Sequence, residues 1–181
     1  MLALLFTLKK TRGRGRGLFA KRFIPKGTIV FFECPQCRVM PKSEFMRLSP
    51  RKREKLLFHA YTRQDGSVVQ ACGLSPYMNH SCDANVLDSG KGFDIVVRDI
   101  PKGREATYDY RVFYDEDWGF ECRCGAENCC VAFRCRHPLP RGLRRDWETK
   151  LKPALAQARK VPQPLGKVLA ANLPKTRRLL G

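Results

Sequence analysis

At 181 residues the chain is long enough for one domain plus an extension. A composition 43% hydrophobic and 10% aromatic can bury a core and argues against wholesale disorder. The formal charge of +18 is uneven: Met1–Cys135 holds 23 basic and 15 acidic residues, and Arg136–Gly181 holds 12 and 2. A basic excess suits contact with nucleic acid or another polyanion. For the body we read it as solvated surface; for the tail both readings stand level. The longest apolar run, Met1–Leu8, is far short of the roughly 20 residues of a membrane span. It also lacks the basic lead and small-residue cleavage site of a signal peptide. It reads as a first strand, and the chain is expected to be intracellular and off the membrane, with nucleus or cytoplasm undecided.

Residues Thr28–Cys34 and Phe93–Val97 are β-branched and aromatic, the mark of strands. An Ile-Pro-Lys-Gly turn, read as type I, flanks each of them, at Ile24–Gly27 and Ile100–Gly103. The echo reads as repeated turn chemistry, since the flanks differ. Between them one helix is expected, with Ser49 as N-cap, Pro50 at the first position and Arg51–His59 as its body. Asp65-Gly66 then reads as a hairpin turn before Ser67–Ala71. The absence of βαβ alternation excludes a doubly wound sheet. Near the C-terminus, Leu143, Trp147, Leu151 and Leu155 mark one face of a helix that docks on the body, with Pro153 expected to kink or divide it. Prolines 162, 164 and 174 predict an irregular end beyond Val161.

Nine cysteines in an intracellular chain point to metal ligands or buried apolar groups before disulfides. Five crowd into Cys122–Cys135. Cys122, Cys124 and Cys129 place three thiolates on one tight turn, three corners of a zinc tetrahedron. The fourth corner stays open at this point: Cys130, Cys135 or a remote residue could fill it. Cys34-x-x-Cys37 lacks a second pair and reads as a strand end.

Three further segments carry polar chemistry. Arg12–Leu18 (RGRGRGL) alternates glycines that admit close backbone approach, or forms a flexible basic stretch. Asn79-His80-Ser81-Cys82, followed by Asn85, suits a polar loop. Thr107–Tyr110 puts two tyrosines on one side of an extended chain.

In this order, these segments resemble the SET-domain protein-lysine methyltransferases. Gly15–Ala20 is similar to the family's opening G-x-G motif, Tyr77–Cys82 to its N-H-S-C motif, and Gly103–Tyr110 (GREATYDY) to its closing G-E-E-L-T-Y-D-Y segment. Cys122–Cys129 matches the post-SET spacing C-x-C-x4-C. The likeness spans roughly Lys10–Phe133. It implies a mainly β fold of several small twisted sheets with a pseudoknot and short helices, here with a C-terminal helical extension. The expected division is 1–121 for the SET domain, 122–135 for the zinc segment and 136–181 for the basic extension.

The resemblance also implies roles. S-adenosylmethionine would be held by Gly15, Arg16, Gly17, Leu18, Tyr77, Asn79, His80 and Tyr110. Tyr110 would face the transferred methyl, and Tyr108 would restrict the product mainly to monomethyl-lysine. Phe113, Trp118 and Phe120 are candidates for the channel wall or an adenine lid. One structural zinc would take Cys82 with Cys122, Cys124 and Cys129, leaving Cys130 and Cys135 as spectators. The implied substrate is a lysine-rich, histone-like protein, guided by Asp115–Asp117 and Glu121 or indifferent to them. The basic tail is a candidate for DNA contact. Pro76, Ala84 and Ala106 depart from the family pattern. Two rivals remain: a catalytically silent, zinc-stabilised chromatin- or nucleic-acid-binding module, and a zinc knuckle whose fourth ligand is Cys135.

Overall fold

The computed structural model describes residues 1–114, 119–135 and 137–176. Strands β1 (Phe6–Lys10) and β2 (Arg16–Ala20) form an antiparallel hairpin, closed by a Thr11 N–H to Gly15 carbonyl bond of 2.9 Å. Gly13 and Gly15 take positive φ in this turn, at 77° and 70°. Strand β3 (Ile29–Phe32) is buried at all four residues. An insert follows: β4 (Arg38–Met40), α1 (Lys42–Met46), α2 (Pro50–Leu57), β5 (Ala60–Thr62) and β6 (Val68–Gln70). Helix α2 begins at Pro50 as expected, but Ser49 makes no side-chain cap bond, and α1 precedes it. The Asp65-Gly66 turn joins β5 to β6, with the Asp65 carboxylate accepting from the Ser67 N–H at 2.9 Å.

The chain returns through β7 (Asn79–His80), β8 (Val86–Asp88), β9 (Phe93–Val96) and β10 (Glu105–Tyr108). The main sheet runs β1-β2-β10-β8-β9-β3, and β7 also pairs with β10. A small sheet, β4-β6-β5, carries the insert. Strand β10 therefore meets β2 antiparallel and both β7 and β8 parallel. That pairing laces the Asn79-His80 segment against the Tyr108–Tyr110 segment. Leu18, Ile29, Phe32, Ile95 and Ile100 are fully buried beneath it.

The two Ile-Pro-Lys-Gly turns face each other. Ile24 and Ile100 exchange both backbone bonds at 2.9 Å. Gly27 and Gly103 have φ of 96° and 79° at the third turn position, which makes these turns type II instead of the expected type I.

Strands β11 (Gly119–Glu121) and β12 (Ala132–Arg134) make a separate hairpin around the cysteine cluster. Helix α3 (Arg141–Gln157) then runs unbroken through Pro153, contrary to the expected kink. Trp147 and Ala154, on either side of the proline, are both buried, and this docking outweighs one missing backbone bond. Leu143, Leu151 and Leu155 pack partly buried on the same core. Beyond Val161 the expected irregular end is instead α4 (Gly166–Asn172). Gln163 ties it down: its amide donates to the Gly27 and Ala158 carbonyls at 2.8 Å and accepts from the Ile29 N–H at 2.9 Å. Leu165 and Leu169 are buried below. Among the described residues no helix is long and apolar enough to cross a membrane.

Candidate active site and zinc centre

A polar edge forms where β2, β7 and β10 meet. The Asn79 amide donates to the Arg16 carbonyl at 3.1 Å and to a Glu105 carboxylate oxygen at 2.8 Å. The Arg14 guanidinium pairs with the other Glu105 oxygen at 2.6 Å and reaches the His80 carbonyl at 3.3 Å. A Cβ at Gly17 would sit 2.3 Å from Glu105 Oε1 and 2.8 Å from Asn79 Nδ2, so a side chain there would displace both groups from this edge. Leu18 turns into the core, with its backbone in register with Leu8 and Ala106. Tyr77, in the Ser75–Tyr77 turn, is half-buried against the His59 ring. Arg14 and Glu105 went unassigned in the sequence; the only signal for Arg14 was the repeated Arg-Gly.

Across β10 lies an aromatic cavity of about 830 Å³. Tyr61 stacks on Phe113 with centroids 4.8 Å apart, and Tyr108 and Tyr110 lie 5.7 and 5.5 Å from the same ring. The Tyr110 hydroxyl donates to the Met78 carbonyl at 2.6 Å, and the Tyr108 hydroxyl donates to Asp94 at 3.1 Å. Burial pushes both phenols up, and burial also holds the Asp94 carboxyl well above the usual range. Both tyrosines are therefore phenols and donors at neutral pH. Phe120 stacks on Phe133 at 4.6 Å in the cysteine lobe, against which Phe113 also packs. Trp118 and Asp115–Asp117 lie outside the described residues. Glu121 pairs with Arg123 at 2.7 Å. Pro76 lines the cavity; Ala84 and Ala106 are buried.

The sulfurs of Cys82, Cys122, Cys124 and Cys129 all lie within 4.8 Å of one another. Tetrahedral zinc with bonds of 2.3 Å spaces its sulfurs ~3.8 Å apart, so the donor set fits that ion. His80, Cys82, Cys122 and Cys130 make an overlapping set. His80 is the wrong tautomer for it. Its Nδ1 accepts from the Tyr110 N–H at 3.2 Å, so Nε2 carries the proton and donates to Cys82 Sγ at 3.4 Å. Burial brings the His80 pKa down to about 4, which keeps the ring neutral. The Cys130 N–H also donates to Cys82 Sγ, at 3.4 Å, and the Cys82 N–H to Cys124 Sγ, at 3.5 Å. Such donors steady thiolates and orient ligands from outside the coordination shell. Burial pushes the Cys82 thiol up to about 12. Burial also acts to raise Cys124, but the backbone N–H groups of Cys82 and Ala126 hold it at about 6. Cys135 faces the Tyr110 carbonyl at 3.7 Å and is not in either set, against the zinc-knuckle rival.

A SET domain family model matches residues 15–111, more than half of the chain. The chain belongs to the SET domain family. It is 31% identical over 139 residues to human histone-lysine N-methyltransferase 2D, covering 67% of this chain and 2% of that protein. It is 29% identical over 133 residues to Drosophila melanogaster histone-lysine N-methyltransferase trr, covering 67% and 5%. It is also 30% identical over 135 residues to the Schizosaccharomyces pombe histone-lysine N-methyltransferase described as H3 lysine-36 specific, covering 68% and 16%. This SET chain thus spans a small fraction of each relative. The methyltransferase domain of human histone-lysine N-methyltransferase SETMAR shares the fold, with a TM-score of 0.50 and 22% identity over 70% of this chain and 56% of that one.

Proposed function

We propose that this chain transfers methyl groups from S-adenosylmethionine to lysine side chains of a basic, histone-like protein, mainly one methyl per lysine. The observation that carries this reading is the placement of the two tyrosines. They stand between a polar edge able to hold an amino acid and an aromatic cavity able to strip water from an amine.

The donor set suits the cofactor's amino-acid end: Arg14 offers a cation for a carboxylate, Glu105 an anion for an ammonium, and Asn79 an amide. Gly15, Arg16, Gly17, Leu18 and His80 offer backbone, and Tyr77 and Tyr110 flank the edge. S-adenosylmethionine, when bound, supplies a methyl group activated on a sulfonium. The chain's own residues do the rest. Tyr61, Tyr108 and Phe113 desolvate the incoming lysine, which lowers its pKa and lets it shed its proton to solvent before transfer. Confinement also holds the amine in line for attack. The Tyr110 hydroxyl is fixed by its bond to the Met78 carbonyl, and its oxygen keeps lone pairs able to accept. The Tyr108 hydroxyl is held by Asp94, so it cannot swing aside to admit a second methyl. Zinc at Cys82, Cys122, Cys124 and Cys129 would fasten the 122–135 segment to the 1–121 domain. Arg141, Arg144, Arg145, Arg159 and Lys160 are exposed, and in the 136–181 extension they are free to meet DNA.

Calorimetric titration of S-adenosylmethionine into zinc-loaded protein tests the reading. Saturable one-to-one binding, weakened by Asn79→Ala, is expected. Folded protein that binds no cofactor, even with lysine-rich peptide present, would leave the silent chromatin-binding module instead. Product mass spectra dominated by trimethyl-lysine would overturn the assignment of Tyr108.

A further inference from the structure

A second group of cysteines lies outside the Cys82 centre. Cys34 lies two residues beyond β3, Cys37 stands immediately before β4, and Cys72 follows β6. Their three sulfurs lie within 4.8 Å of one another, and Cys34 Sγ and Cys72 Sγ are 3.6 Å apart. Cys34 and Cys37 are buried, at 6% and 8% exposure, and Cys72 is half-buried.

The local geometry is that of a metal knuckle. Cys34-Pro35-Gln36-Cys37 is a tight turn closed by the Cys37 N–H to Cys34 carbonyl bond of 2.8 Å. Two thiols from one turn and a third from a neighbouring strand end form the arrangement a soft ion selects. A disulfide would account for two of the three. The Cys34–Cys72 separation is also far above the ~2.05 Å of an S–S bond.

We propose that Cys34, Cys37 and Cys72 bind a second soft d10 cation, zinc being the ion to test, as a three-thiolate site distinct from the centre at Cys82. No fourth Cys, His, Asp or Glu ligand atom joins this group among the described residues. Water completes the tetrahedron, as in zinc sites that keep an open position. The site therefore exchanges its ion faster than the four-cysteine centre. Its place in the fold gives it a structural consequence. It ties the segment after β3 to one end of the β4-β6 pairing, the end where Arg38 meets Gln70, and β6 carries β5 and hence Tyr61. An ion here fixes one wall of the aromatic cavity.

Zinc counted on the full chain after equilibration with a slight excess of the metal tests this. Cys72→Ser and Cys34→Ser are each expected to hold one zinc fewer per chain than wild type. Cys129→Ser should also lose one, and Cys72→Ser with Cys129→Ser two. Equal zinc in wild type and Cys72→Ser would overturn the site. Should these variants fold poorly, thiol alkylation of wild type read by mass spectrometry decides the matter. Zinc should protect Cys34, Cys37 and Cys72, and a chelator should expose them before Cys122 and Cys124. Alkylation indifferent to zinc, or a Cys34–Cys72 disulfide in the zinc-loaded protein, would overturn the proposal.

Discussion

The β11–β12 lobe packs against His80 and the α3–α4 extension against β9 and the main core, yet different forces hold them there. The lobe has strands of three residues and a small cluster of Cys82, Cys122, Phe133 and Cys135. A two-stranded hairpin of this size is marginal in water by itself. The extension instead adds Trp147, Ala154, Ala158, Leu165 and Leu169 to the main core. One region is therefore expected to depend on metal and the other on apolar burial. The same fold can attach one appendage that responds to zinc and pH and another that responds to neither.

The largest effect should come from breaking the metal arm of this contrast. Structural zinc in small domains is worth on the order of 10–16 kcal/mol. Cys82→Ser, or chelation, should strip the ion and abolish hydrogen-exchange protection in 119–135 while leaving α3 protected. Undiminished zinc in Cys82→Ser would detach the centre from the body. Acid should act in the same direction. Burial sets the Cys82 thiol at about 12, so without metal it is protonated at neutral pH, and zinc must displace that proton. Lowering pH favours the proton, so affinity falls with pH and the lobe opens before the extension does.

Trp147→Ala tests the apolar arm. Removing a buried Trp costs about 3–5 kcal/mol, read as a lower urea midpoint with zinc content unchanged. Trp147 Nε1 also donates to the buried Asp109 at 3.1 Å, and Arg111 holds the same carboxylate. Trp147→Phe keeps most of the apolar area and should lose only the bond, ~1.5–3 kcal/mol for a charged acceptor. Loss of zinc in Trp147→Ala would mean that the two arms are one cooperative unit.

The two regions also differ in how legible they were. The resemblance of four segments to the SET family singled out Asn79, Tyr108, Tyr110 and the Cys122–Cys129 turn, and it could do so because tight turns and short strands fix neighbours locally. The helical face of Leu143, Trp147, Leu151 and Leu155 was legible from its period. Its passage through Pro153 was not, since that depends on tertiary docking over both halves of the helix. Nor was α4, because Gln163 anchors it through bonds to residues more than a hundred positions away. Cys72 had no spacing signal either: only the pairing of β4 with β6 carries it to Cys34. Asp94, from β9, meets Tyr108 for the same reason.

The smallest effect concerns the point where the regions touch. Lys150 on α3 reaches Asp83 at 3.1 Å and Asp146 at 2.9 Å, and Asp83 is the residue after Cys82. Arg98 holds Asp83 from the other side at 2.6 Å. The lysine and Asp83 side chains keep 27% and 37% of their surface exposed, so solvent screens the pair. Exposed pairs are worth roughly 0.2–1 kcal/mol. Lys150→Ala should therefore lower stability within that range, and the loss should shrink at high salt. Arg98 remains to position Asp83, so zinc affinity should not move. A measured drop in zinc affinity on Lys150→Ala would show that α3 helps set the Cys82 backbone, and the division between a metal-held and a core-held appendage would then fail at this residue.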